Sequence, residues 1–206
     1  MDNIKKETPN SKSEKIMNGV ATWCSYYRAN PNRFAKDYLN IDLKIFQKIL
    51  LFMMNVSTNF MYIASRGQGK TFLIAIFCVI RCILYPGTRV CVASKNRSQG
   101  AEVVEKIITI LKPNSANLQL EILHDVNTAT KSEVIFKNSS VIKVVTANDG
   151  ARHNRSNVIF IDEYRMVDPN IIDTVLKKFN TAPRQPRYLN KPEYAHLKER
   201  NKEMYA

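Results

Sequence analysis

The apolar positions along the chain change period several times. Between residues 16 and 40, Trp23, Tyr26, Tyr27, Phe34, Tyr38 and Leu39 supply anchors on either side of Asn30-Pro31. Proline disfavours helical geometry in the residue before it, so two short helices split at that point are predicted. A third helix is predicted over residues 43–54, with Ile45, Phe46, Ile49, Leu50 and Met53 on its apolar face. Asn59-Phe60-Met61-Tyr62-Ile63-Ala64 is then a short apolar run that ends in a glycine-containing loop. A strongly apolar helix over residues 70–84 follows, stopped by Pro86-Gly87.

Residues 89–93 read as a second apolar strand, and 98–111 as a helix ended by Pro113. Residues 133–137 and 141–146 flank Asn138-Ser139-Ser140 and predict a hairpin. Val158-Ile159-Phe160-Ile161 is short, β-branched and uninterrupted, as a strand buried on both faces must be. Asp168 caps a helix opened by Pro169 and running to about residue 179. The chain therefore divides into a flexible polar tail (1–15), an N-terminal helical segment (16–40), an α/β core (41–180) and a C-terminal segment rich in proline and charge (181–206), helical over 191–205. Strand–loop–helix, strand–helix and then a buried strand ending in acids is the order of a mainly parallel sheet flanked by helices. Ligands in such sheets bind beyond the carboxyl ends of the strands.

Composition adds a partner class. The 206 residues carry 31 Lys and Arg against 18 Asp and Glu, a formal charge of +13. That balance favours a polyanion, most simply nucleic acid. The longest apolar stretch is broken by Arg81 and is too short to span a bilayer, and the N-terminus has no apolar signal stretch. Cys24, Cys78, Cys82 and Cys91 form no CxxC pair and read as small core residues in a reducing compartment. His124, His153 and His196 are scattered, so no zinc site is expected.

Two segments carry chemistry. Ala64-Ser65-Arg66-Gly67-Gln68-Gly69-Lys70-Thr71 matches the phosphate-loop pattern except that Ala64 replaces its first glycine. Gly67 and Gly69 let the backbone curl so that several N–H groups point into one concavity, and the helix start adds its positive dipole end. Lys70 is suited to the β and γ phosphates and the Thr71 hydroxyl to Mg²⁺. Val158-Ile159-Phe160-Ile161-Asp162-Glu163 is an apolar strand ending in two acids. Asp162 is the candidate Mg²⁺ ligand and Glu163 the candidate general base. Gln47 offers the donor and acceptor that match the edge of adenine. Arg66, Arg152 and Arg155 are candidates for stabilising charge in phosphoryl transfer; for Arg152 and Arg155, contact with nucleic-acid phosphates or simple solvation are equal alternatives.

The segment Ser65–Thr71 resembles the modified phosphate loop of the large terminase subunit of tailed bacteriophages, and Phe46-Gln47 resembles the adenine motif of that family. Gly87-Thr88-Arg89-Val90-Cys91-Val92-Ala93-Ser94 with Ser98-Gln99-Gly100-Ala101, then Phe136-Lys137-Asn138-Ser139-Ser140-Val141-Ile142 and Ile161-Asp162-Glu163-Tyr164-Arg165, complete the same order. The resemblance implies a RecA-like P-loop ATPase of the ASCE type. In it Ser65, Arg66, Gly67, Gln68, Gly69, Lys70, Thr71 and Gln47 hold ATP, Thr71 and Asp162 hold Mg²⁺, Glu163 activates water and Arg66 senses the γ-phosphate. It implies a motor that packages double-stranded DNA into a procapsid, acting in the infected bacterial cytoplasm as a homo-oligomeric ring with the portal protein and the small terminase subunit. The family's coupling motif is expected either at Asn180-Thr181-Ala182-Pro183 or beyond Ala206. Its nuclease domain does not fit in this length, so no nuclease activity is expected. A helicase-like ATPase lobe and a non-hydrolysing, nucleotide-gated DNA-binding module are the alternatives.

Overall fold

Strand residues project alternately to the two faces of a sheet, and here each face carries a packed apolar layer. In the computed structural model, which describes residues 9–65, 67–148, 151 and 154–206, the strands are β1 (Asn59–Met61), β2 (Arg89–Ser94), β3 (Ile122–Asn127), β4 (Ser132–Phe136), β5 (Val141–Thr146), β6 (Val158–Ile161) and β7 (Lys202–Tyr205). They form one sheet in the order β1-β7-β6-β2-β5-β4-β3. The pairings from β1 to β5 are parallel, while β4 runs antiparallel to both β5 and β3. Five strands thus present their carboxyl ends on one side.

The helices are α1 (Pro9–Ala29), α2 (Pro31–Asp37), α3 (Ile45–Val56), α4 (Lys70–Leu84) and α5 (Arg97–Lys106). The last continues through a π turn, Ile107–Leu111, into a final turn that contains Pro113. Val90, Val92, Val158 and Phe160 face a large core built on α2 to α5, in which α4 is buried from Leu73 to Leu84. Cys91, Ala93, Ile159 and Ile161 face the other way and pack against Val167, Ile172, Val175 and Leu176. The helical segment 169–179, capped by Asp168 accepting from the Asn170 N–H at 2.8 Å, supplies most of that second layer. Burial pushes the thiols of Cys78, Cys82 and Cys91 upward, as expected of core residues.

The helix break at Asn30-Pro31, α4, β2, the β4–β5 hairpin, β6 and the Asp168 cap stand where the pattern placed them. Four expectations need correction. Helix α1 already begins at Pro9, so residues 9–15 are helical; residues 1–8 lie outside the described part. On α3 the buried residues are Leu51 and Met54, whereas Ile45, Phe46, Ile49 and Met53 are exposed. That helix is apolar almost all round, so periodicity had no polar face to orient it. Strand β3, entered from a short helix at Ala116–Glu121, was not expected.

The largest correction concerns the C-terminal segment. Instead of a helix over 191–205 it forms two 3₁₀ segments, Arg187–Asn190 and Pro192–Leu197, and then β7, which inserts between β1 and β6. Arg81 explains how it is held. This cation, set within the buried stretch Leu73–Leu84 of the helix, lies 3.6 Å from the centroid of the Tyr85 ring and donates two hydrogen bonds to Glu199 at 3.3 and 2.9 Å. Lys202, at the start of β7, donates to the Asn55 carbonyl at 2.8 Å and to that of Ser57.

Candidate nucleotide-binding site

Strand β1 ends at Met61, and the chain turns at Gly67 and Gly69 before α4 begins. Gly67 and Gly69 have φ of 82° and 71°, a backbone region that glycine enters without steric penalty. Gly69 is the cap of α4, and its carbonyl accepts the Leu73 N–H at 3.0 Å to close the first helical turn. Lys70 and Thr71 open that helix, so its unpaired N–H groups and positive dipole end lie at the loop. Ser65, Gly67 and Gln68 are exposed along the curl. A Cβ on Gly69 would sit 3.4 Å from the Gln47 Nε2, which places the Gln47 carboxamide against the loop. Its Oε1 meanwhile accepts the Lys44 N–H at 2.9 Å and ties down the start of α3.

The tip of β6 meets this loop. Lys70 Nζ lies 3.6 Å from Asp162 Oδ1 and 3.4 Å from Glu163 Oε1. Asp162 is buried, its side chain 6% exposed, while that of Glu163 is 47% exposed. Burial raises the Asp162 carboxyl above its ordinary value, against the opposing pull of the Lys70 ammonium and of the Glu163 N–H, which donates to Oδ1 at 3.1 Å. Glu163 adopts φ 51° and ψ 48°, a left-handed conformation that costs a residue with a side chain about 1–2 kcal/mol. Such outliers persist where surrounding structure holds them. Here the next residue is held by β7: the Tyr164 N–H donates to the Ala206 carbonyl at 2.9 Å, and the Tyr164 and Tyr205 rings meet edge to face at 5.2 Å.

The end of β7 thus lies between the two loaded loops, because the Tyr62 N–H also donates to the Tyr205 carbonyl at 2.8 Å. Tyr205 and Ala206 are the site residues that sequence reasoning missed, and the only signal was the short apolar run Met204-Tyr205-Ala206 behind three charged or polar residues. Asn180-Thr181-Ala182-Pro183 does not reach the site: Asn180 receives the Ser156 hydroxyl at 3.2 Å and donates to the Lys202 carbonyl at 3.1 Å, both at the opposite ends of β6 and β7. Arg155 also sits before β6, at the end away from Asp162. Arg66 and Arg152 lie outside the described residues.

The donors present suit a hard divalent cation. Asp162 and Thr71 offer oxygen atoms, and among the described residues no group of three or more His, Cys, Asp or Glu gathers into a self-contained cage. Mg²⁺ is commonly held by one or two protein oxygens together with substrate phosphates, so the set fits it.

A curled glycine loop opening a helix, an acidic strand tip across from its lysine and a strand inserted between the two define a P-loop ATPase-type fold of the RecA-like, mainly parallel kind. The sequence model for the helicase domain of the RNA cytidine acetyltransferase NAT10/TcmA matches residues 61–182, more than half of the chain, and the chain belongs to that family. No curated protein sequence matches it. Among solved structures, the large terminase of bacteriophage HK97 superposes with a TM-score of 0.60 at 17% identity, over 80% of this chain and 33% of that one. The large terminase ATPase domain of Thermus phage P74-26 superposes with a TM-score of 0.56 at 12% identity, and a mutant of it with 0.61 at 10%, each over 83% of this chain and 67% of that one. The terminase resemblance read in the sequence holds at the level of the fold. The chain spans about a third of the length of the HK97 terminase.

Proposed function

We propose that this chain is the ATP-hydrolysing motor domain of a terminase-type DNA-packaging machine, which drives double-stranded DNA into a procapsid. The observation that carries the reading is the meeting of Lys70 with Asp162 and Glu163 across the carboxyl ends of β1 and β6, in a fold shared with large terminases from two phages. In this reading Gly67, Gln68, Gly69 and Lys70 cradle the β and γ phosphates of ATP with backbone N–H groups and one ammonium. Ser65 borders that cradle, Gln47 holds the adenine edge, and Arg66 senses the γ-phosphate. Thr71 and Asp162 would hold Mg²⁺, which supplies charge neutralisation on the phosphate oxygens. Glu163 accepts the proton of the attacking water. Lys70 leaves the two carboxylates for the triphosphate, freeing Glu163 for that role. The end of β7 touches both loops, and in this reading it couples their movement to the bound DNA.

The motor would act in the cytoplasm of an infected bacterium, as a ring on the procapsid with the portal protein and the small terminase subunit. The test is steady-state ATP hydrolysis with and without Mg²⁺ and duplex DNA, at rising protein concentration. Turnover that needs Mg²⁺ and rises with DNA and assembly supports the motor; no turnover under any of these conditions leaves a nucleotide-gated binding module. The helicase-domain family match favours one second reading, a helicase-like lobe working on RNA. An unwinding assay on RNA and DNA duplexes separates the two, since a packaging motor moves along a duplex without opening it.

A further inference from the structure

The second face of the sheet is not covered along its whole length. Helical segment 169–179 packs over Ala93, Ile159 and Ile161 and reaches Cys91, but beyond Cys91 the amino-terminal ends of β2 and β5 remain open on that side. There Arg89 and Val141 are partners in register, as are Cys91 and Lys143. These four positions form the floor of a groove of about 390 Å³. The loop before β6 contributes Asn154 and Arg155, and the β4–β5 turn contributes Ser139. Arg89, Lys143 and Arg155 are all exposed, and among the described residues none of the three has an ion-pair partner. Glu133, opposite Lys143 on β4, is engaged by Lys131. Among the described residues no carboxylate lines the groove.

We propose that this groove binds the phosphodiester backbone of duplex DNA at a place separate from the ATP site. The inference rests on the nucleic-acid half of the proposed function and adds the surface that performs it. Strand rise and spacing put diagonal positions such as Arg89 and Lys143 about 8 Å apart at the Cα atoms, so one phosphate does not satisfy both and a run of phosphates does. The partly apolar floor of Val141 and Cys91 excludes water beneath the cations and strengthens their attraction for an anion. Ser139 and Asn154 add neutral donors. Among the described residues the lining holds no aromatic ring on which a base stacks, so contact stops at the backbone and carries no sequence preference. The groove lies at the amino-terminal ends of the parallel strands, whereas Lys70, Asp162 and Glu163 lie at the carboxyl ends. DNA and ATP therefore occupy opposite ends of the sheet and do not compete.

The experiment is fluorescence anisotropy with a short labelled DNA duplex, titrated across ~50–200 mM salt. Arg89→Ala, Lys143→Ala and Arg155→Ala are each expected to weaken binding about threefold to tenfold and to lower the salt slope by about 1. Lys143→Glu is expected to weaken it further, with an unchanged melting temperature. Lys36→Glu alters an exposed cation of α2, on the other side of the sheet, and reports the effect of net charge alone. Lys70→Ala is expected to leave duplex affinity unchanged while nucleotide affinity falls. A wild-type chain that binds ATP and no duplex removes the nucleic-acid half of the proposed function and the groove with it. A chain that binds duplex equally well after all three groove substitutions keeps that function and overturns the groove, as does an equal loss in Lys36→Glu.

Discussion

Lys70 and Glu163 stand 93 residues apart in sequence and meet at 3.4 Å, Nζ to Oε1, across the carboxyl edge of the sheet. Asp162, the neighbour of Glu163, is 3.6 Å from the same ammonium. The basic partner opens the helix behind a glycine loop, and the acidic partners follow the tip of a buried strand. Only the pairing order of the sheet brings the two together.

The first prediction separates binding from turnover. Lys70→Ala is expected to weaken ATP binding about 10- to 100-fold, because a charge-assisted contact to phosphate is lost. Glu163→Gln is expected to bind ATP normally and hydrolyse it about 10²–10⁴-fold more slowly, as the loss of a general base demands. Calorimetric titration and a phosphate-release assay read the two effects; unchanged turnover in Glu163→Gln would remove that residue as the base.

Backbone strain at Glu163 gives a second. Glycine occupies a left-handed position without the Cβ penalty, so Glu163→Gly is expected to stabilise the protein by about 1 kcal/mol while losing hydrolysis. Its half-exposed ion pair with Lys70 offsets little of this gain. Denaturant unfolding checks the sign, and a loss of stability would mean that the turn is not strained.

Asp162 provides a third. Its folded-state pKa is raised by burial, so its contribution to stability is greatest below the unfolded value of 3.8 and is lost as pH rises through the folded one. At neutral pH the buried carboxylate therefore opposes folding. Asp162→Asn is expected to raise the melting temperature at pH 7 in the absence of nucleotide, by about 2–4 °C per kcal/mol released, and to abolish hydrolysis.

Lys202 titrates in the other range. Burial and the nearby Arg81 lower it from 10.5 to about 8. The unfolded chain therefore binds more protons between those values, and this group's contribution to stability rises with pH across that window and is lost as pH falls through about 8. Comparing melting temperatures of wild type and Lys202→Met from pH 7 to 10 isolates the slope; parallel curves would show that Lys202 is not depressed.

A fifth prediction concerns packing. A Cβ on Gly100 would lie 2.7 Å from Val144 Cγ1 and 2.8 Å from Ser94 Oγ, where α5 crosses β2 and β5. Gly100→Ala is expected to destabilise by about 1–3 kcal/mol, since well-packed neighbours must move. Ser94 Oγ also accepts the Gly100 N–H at 3.0 Å, a bond that the shift would stretch. A Gly100→Ala protein as stable as wild type would refute this close approach.

The sequence by itself determined the local chemistry and most of the elements. Gly67 and Gly69 mark the curl, the apolar run to Leu84 marks the helix behind it, and Val158 to Ile161 marks the strand that lifts two acids out of the core. These signals are short-range, because backbone freedom, periodicity and capping act within a few residues. Tertiary structure alone decided which face of α3 is buried, since a helix apolar on nearly every side turns whichever way its neighbours allow. It alone placed β7, four residues that include Lys202 and Glu203, whose strand character comes from filling the gap between β1 and β6 rather than from propensity. The same long-range packing, anchored by the contact between Arg81 and Glu199, carries Tyr205 to the loop beside Glu163.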